Sequence, residues 1–171
     1  MTREFGKLVA RAVVGLSFAA HGAQKAFGSF GGPGPEGAGA GFEGMGFKPG
    51  VRYAKLAAYT ELASGMLIAI GLGGPAGASG ILGVMTVAAA AVHAKNGFFA
   101  SKGGLEINAL YGAAALAIAM GGYGRLSLDA LLGWDEVFAD EKLVWAAVAA
   151  GPLGAALVLA RREQPADVPP A

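Results

Sequence analysis

His21 and Lys25 stand four residues apart near the end of a long apolar run, FGKLVARAVVGLSFAAHGAQKAFG, from Phe5 to Gly28. On a helix that spacing puts both side chains on one face. An imidazole beside an ammonium binds an anionic or carbonyl oxygen, and can stabilise the reduced, negatively charged form of a quinone. Charge inside a membrane-length helix is costly, so the pair marks a candidate site. The competing reading is a lysine that reaches to the interface and a histidine that bonds to a neighbouring helix. Glu61 lies in a second apolar run. It reads either as a proton carrier or as the buried partner of Lys25 or His21, and the two roles are compatible, because a proton relay is also a hydrogen-bonded network.

His93, Asn96, Glu106 and Asn108 form a second group of candidate ligand-binding residues around the end of a third apolar run and the start of a fourth. His21, His93 and Glu61 together have the composition of a two-histidine, one-carboxylate metal set. Two histidines could also hold a haem axially. No ligand-spacing motif supports either, so no metal site and no intrinsic prosthetic group are expected. Asn96-Gly97-Phe98-Phe99 is a turn signal followed by two aromatics, suited to stacking over a ligand ring or to anchoring at a membrane interface. Gly39 to Gly44 matches G-x-G-x-x-G, but no strand precedes it, which excludes a dinucleotide fingerprint. That stretch reads as a flexible lid, with Phe42, Met45 and Phe47 dipping into lipid.

The elements that must position these residues are membrane-like. Of 171 residues, 54% are hydrophobic and 15% charged, against roughly 45–50% and 25% in soluble domains. A net charge of +1 argues against a nucleic-acid partner, which would need a basic stripe. The absence of cysteine removes disulfides, thiolate metal sites and Cys-ligated iron–sulfur clusters. A spanning helix needs about 20 mainly apolar residues, and five candidates follow: Phe5–Phe27, Val51–Leu72, Ala76–Val92, Leu105–Met120 and Leu143–Ala160, the last with a kink expected at Pro152. Arg3, Lys7 and Leu8–Ala20 have signal-peptide character, but Arg11 interrupts them and no small-x-small cleavage pattern follows, so the first helix is expected to be retained. Gly28–Gly50 reads as a long Gly/Pro loop. Leu128, Leu131, Leu132 and Phe138 fall on one stripe of an interfacial helix, and the tail 163–171 reads as disordered.

If the end of the first span is called the far end, alternation of the helices brings His21, Lys25, Glu61, His93, Asn96, Glu106 and Asn108 to that end. His21 lies roughly 9 Å, and Glu61 roughly 8 Å, inside the membrane boundary at 1.5 Å per residue. The near half carries few polar groups apart from Arg11. Scattered polar residues would not all fall in one leaflet, whereas a pocket open to one face would gather them there. The lysines and arginines also crowd the far end, but several belong to the candidate site, so they assign no orientation.

Several blocks resemble the DoxX family of small bacterial membrane proteins. HGAQKAFG at His21–Gly28 is similar to the family's H-G-x-x-K-x-F-G, and FGGPG at Phe30–Gly34 to the glycine loop that follows. ELASGMLIAIGL at Glu61–Leu72, HAKNGFF at His93–Phe99, GGLEINALY at Gly103–Tyr111 and GRLSLDALLG at Gly124–Gly133 continue the likeness in order. The resemblance covers roughly Phe5 to Gly133, and the fifth span departs from it. It implies an all-α, transmembrane four-helix bundle and a link to redox chemistry. Relatives are named as a subunit of a membrane thiosulfate:quinone oxidoreductase or as membrane partners of detoxifying enzymes.

The resulting expectations are a DoxX-like bundle over 1–142 with an interfacial helix, an accessory C-terminal transmembrane helix over 143–162, and a tail. The chain is expected in the cell membrane as a multi-pass protein whose partners are the bilayer, a redox subunit and a further copy of itself. Its function is expected to be that of a subunit or partner of a quinone-linked oxidoreductase system. Glu61, His21 and Lys25 would be catalytic, with a quinone as the bound group. The alternatives are a non-catalytic scaffold that docks redox or detoxification enzymes, using the acidic Asp135–Glu141 segment, and a small-solute transporter, for which no inverted repeat is evident.

Overall fold

The computed structural model describes residues 1–163. Within them the chain is all-α, with seven α-helices and no strand among the described residues. The helices are α1 (Thr2–Phe27), α2 (Gly34–Gly44), α3 (Gly50–Ile70), α4 (Ala76–Ala88), α5 (Glu106–Gly121), α6 (Leu128–Leu132) and α7 (Glu141–Leu159). A π turn, Ala89–His93, and a 3-10 turn, Ala94–Asn96, extend α4. Among the described residues two helical stretches are long and apolar enough to cross a membrane, Ala76–Asn96 and Glu141–Leu159, and α5 is apolar but shorter. In α1 and α3 the apolar runs are interrupted by charge.

The tightest pairing joins α1 to α3, and small residues make it so. A Cβ on Gly65 would lie 2.9 Å from the Ala19 Cα, and one on Gly22 would lie 2.6 Å from the Ala58 carbonyl oxygen. Neither position tolerates a side chain, so the two backbones approach as closely as they do in small-xxx-small membrane pairs. The same device places α4 between two neighbours. Gly77 meets Ser64 and Ile68 of α3, while Gly83 meets Gly151 of α7. The small-residue face of α4 is therefore a packing surface on two sides. Pro152 lies inside α7 without ending it.

Two connections differ from expectation. The Gly28–Gly50 loop contains α2, whose glycine content hides any helical stripe. Its Ala38 and Gly39 are buried, and a Cβ on Gly39 would meet Val51 of α3, so packing on α3 overrides poor helix propensity. The interfacial helix is only α6. Ser127 Oγ caps it by accepting from the Ala130 N–H at 3.2 Å, and Gly133, at φ 70°, ends it. Phe138 lies beyond it, against Gly74. The tail expected to be disordered lies, apart from Glu163, outside the described residues.

The near end is more polar than its sequence suggested. Arg11 is 1% exposed. Its guanidinium donates to the carbonyls of Leu126, Ala69 and Ile68 and lies 5.5 Å from the centre of the Tyr123 ring. Asp129 accepts from the Gly73 and Gly74 N–H groups at 2.8 and 2.7 Å. Burial raises the Tyr123 phenol above its ordinary range, helped by the Asp129 carboxylate and opposed by Arg11, so the ring stays protonated. Glu4 accepts from the Arg125 N–H at 2.6 Å and Lys7 donates to the Gly121 carbonyl at 2.7 Å. These bonds fasten α1 to the α5–α6 connection and the α3–α4 turn to α6.

Replacing the buried Arg11 by alanine strips one buried and two partly buried carbonyls of a charged donor and is expected to cost about 3 kcal/mol, the order of hydrogen bonds to a charged group. Arg125→Ala, on an exposed side chain, should stay within about 0.5 kcal/mol. Thermal unfolding of both variants in the same detergent, followed by circular dichroism, checks the contrast.

Candidate functional site

At the far end the bundle opens into a cavity of about 660 Å³ that all the long helices help to line. Its wall is mainly apolar, as in most small-molecule sites, and its size falls in their usual range. Helix α1 contributes Phe18, His21 and Lys25, α3 contributes Glu61, and α5 contributes Asn108 and Tyr111. Lys25 Nζ donates to Glu61 Oε2 at 2.6 Å, and it also reaches the His21 carbonyl at 3.4 Å. The Glu61 side chain is 5% exposed and that of Lys25 27%. The pair thus sits on the cavity wall with the carboxylate inside and the ammonium toward the opening.

The histidines are held through one nitrogen each. His21 Nδ1 faces the Gln24 side-chain oxygen at 3.2 Å, and His93 Nδ1 faces the Gly103 carbonyl at 2.6 Å. A carbonyl only accepts, so Nδ1 carries the proton in both. That leaves Nε2 as the ring nitrogen available to an incoming group. The His21 ring stands edge-on to Tyr111 at 6.4 Å, and Tyr111 packs against Phe18 at 5.3 Å.

Of the residues singled out from sequence, His21, Lys25, Glu61, His93 and Asn108 line this cavity, whereas Asn96 and Glu106 do not. Asn96 donates to the Val92 and Gly103 carbonyls, and Glu106 accepts from the Ala100 N–H at 2.8 Å. Both fold the α4–α5 loop that carries the partner of His93. The Asn108 amide is turned to α4, donating to the Met85 carbonyl at 3.3 Å. Phe98 and Phe99 are 57% and 62% exposed, which suits interfacial anchoring and not stacking over a ligand. His21, His93 and Glu61 share the cavity wall, but among the described residues no group of three or more His, Asp and Glu side chains is arranged to hold a metal ion.

The lid is built differently from expectation. Phe47 is fully buried and does not enter lipid, because it packs between Phe42 at 5.8 Å and Tyr53 at 5.4 Å. The G-x-G-x-x-G stretch is helical, within α2. The residues just past α7 clasp the segment after α2. Arg162 Nε donates to the Met45 carbonyl at 2.6 Å, its guanidinium lies 5.8 Å from the Phe47 ring centre, and the Glu163 N–H donates to the Gly46 carbonyl at 2.9 Å. Lys48 and Glu163 add an exposed ion pair at 2.9 Å, worth little by itself. Helix α7, expected to be accessory, therefore lines the cavity and ties down its cover.

Sequence reasoning missed Tyr111, Tyr53 and the wall supplied by α7. Tyr111 had a signal, since it follows Asn108 by three residues and shares its face. The glycines and alanines of α7 carry no chemistry to notice.

Lys25→Met should leave the Glu61 carboxylate buried without its counter-ion, at a cost of about 3–5 kcal/mol. The double variant Lys25→Met/Glu61→Leu removes both charges and should recover most of that loss. Melting temperatures of the wild type, the single and the double variant decide it.

The DoxX family model matches residues 6–94, slightly more than half of the chain. The match takes in α1, α2, α3 and extended α4 up to His93, while the resembling blocks at Gly103–Tyr111 and Gly124–Gly133 lie beyond it. No curated protein and no solved structure matches the chain. With His21, Lys25, Glu61 and His93 inside the matched region and gathered on one cavity, the chain belongs to the DoxX family.

Proposed function

We propose that this protein is a multi-pass membrane protein whose far-end cavity binds a quinone, as a subunit or partner of a membrane redox system. The observation that carries the proposal is the Lys25–Glu61 ion pair, its carboxylate buried, on the wall of an apolar cavity with His21 beside it.

Support for membrane crossing comes from what the helices turn outward. Val9, Val13 and Leu16 of α1, Ile107 and Leu110 of α5, and Leu153 and Leu157 of α7 are 45–68% exposed, at spacings that follow single helical faces. Soluble proteins rarely display contiguous apolar surface on this scale, whereas hydrocarbon accepts it. In this reading α1, α3, α4 and α5 form a four-helix transmembrane bundle and α7 a fifth span.

A quinone is apolar except for two carbonyl oxygens, and the cavity is apolar except for a small polar group on its wall. Lys25 and the His21 Nε2 would bind one oxygen and stabilise the charge that develops on reduction. Reduction to quinol takes two electrons and two protons. Glu61, in contact with Lys25, is placed to hold and pass a proton, and the electrons come from a partner subunit.

Native mass spectrometry of the protein drawn from its own membranes in mild detergent tests this directly. A quinone retained by the wild type is expected. The Lys25→Met/Glu61→Leu variant, which keeps the packing, should lose it with an affinity drop of about tenfold or more, matching the loss of a charge-assisted hydrogen bond. Glu61→Gln should abolish quinone-dependent turnover of the assembled complex. Lipid alone in the wild type, or equal quinone retention in the double variant, overturns the assignment.

A further inference from the structure

Helices α3 and α7 both pack on α4, and between them lies an open groove of about 790 Å³ on the outer surface. Its far rim carries Arg52 and Lys55 from the first turns of α3 and Arg161 just past the end of α7. Farther in, the walls are Leu56, Tyr59 and Ala63 of α3 and Val158 of α7. Arg52, Lys55, Tyr59 and Ala63 recur at three- and four-residue intervals and so share one helical face. Val158 and Arg161 repeat that order on the opposite wall, apolar inside and cationic at the rim. Among the described residues the ion pairs are Lys25–Glu61 and Lys48–Glu163, so no carboxylate there neutralises Arg52, Lys55 or Arg161.

We infer that this groove is a binding site for an anionic phospholipid, with the phosphodiester among the three cations and an acyl chain along the apolar wall. The charge complementarity is specific in its layout. A free phosphate would use the rim and leave the apolar floor uncovered, and a zwitterionic lipid would bring its own cation against three others. Basic pockets between transmembrane helices are suited to anionic headgroups, each basic residue adding roughly 1 kcal/mol near the surface. Tyr59, whose ring meets Phe27 edge-on at 6.5 Å, supplies an aromatic at the depth where headgroup and chain join. The groove has a further consequence for the cavity. Tyr53, Leu56, Thr60 and Val158 line both, so a lipid seated outside buttresses the wall of the chamber inside. The site stands without the quinone assignment, because it uses none of His21, Lys25 or Glu61.

The test is native mass spectrometry of delipidated protein in neutral detergent, titrated with phosphatidylglycerol or phosphatidylcholine. Phosphatidylglycerol should be retained about tenfold more strongly. The triple variant Arg52→Ala/Lys55→Ala/Arg161→Ala, at three exposed positions, should lose that preference with an unchanged melting curve. Ala63→Trp fills the groove but keeps all three cations, and it too should lower phosphatidylglycerol retention, which a loose surface attraction would not show. Excess inorganic phosphate should leave the lipid in place. Equal retention of the two lipids, an unaffected triple variant, an unaffected Ala63→Trp, or displacement of the lipid by phosphate would each overturn the inference.

Discussion

Charge buried in an apolar bundle must be compensated where it lies, and the α1–α3 pair is organised around that requirement at both ends. At the far end Glu61 of α3 meets Lys25 of α1 at 2.6 Å. At the near end Arg11 of α1 bonds to the carbonyls of Ile68 and Ala69, where α3 finishes. Between them Gly15, Gly22 and Gly65 let the backbones touch. The two polar anchors fix the register of the helices, and the glycines set their separation. A shift of one turn, about 5.4 Å, would strand both a carboxylate and a guanidinium in an apolar interior. Such an interface tolerates little sliding, and the remaining helices are added to it.

The two ends then diverge in what they leave open. Around Arg11, side-chain and backbone partners from α3, the α5–α6 connection and α6 close the structure into a hydrogen-bonded plug. Around Lys25 and Glu61 the helices part instead. The π turn in extended α4 and the loop held by Asn96 and Glu106 carry His93 to the edge of the cavity, and α7 contributes residues too small to fill it. A π turn inserted in an α-helix frequently marks a functional site, and here it directly precedes the loop that bonds His93. The cover over the opening, Phe42 to Phe47, is held by Arg162 and the Glu163 backbone, so the residues just past α7 connect the outer surface to the chamber.

Polarity in this fold is distributed by the need to satisfy it. The same residue types serve packing at one end and line a chamber at the other, and the surroundings decide which. Asn108 illustrates the point. By type and position it looked like a ligand-binding group, but its amide N–H is used to hold α5 to α4. Arg11 looked like an isolated exception in an apolar half, yet it is the most enclosed charged side chain of that half and collects carbonyls from two separate segments.

The amino-acid sequence by itself determined the helical class, the long apolar segments and the family, because each depends on local composition, period or a contiguous block such as HGAQKAFG. It left the partner of Glu61 open between Lys25 and His21, because both lie at similar depth in the neighbouring apolar run, and the structure selects Lys25. Only the tertiary structure decided the rest. That α2 is a helix depends on packing against Val51, not on its own glycine-rich sequence. That Phe47 points inward depends on Tyr53 and on Arg162, more than a hundred residues away. That Asn96 and Glu106 shape a loop while Tyr111 lines the chamber depends on which way each side chain turns. That α7 belongs to the cavity and frames a cationic groove with α3 depends on Gly83 meeting Gly151. Each is a contact between distant segments, and hydropathy and spacing along one segment carry no information about which other segment will lie against it.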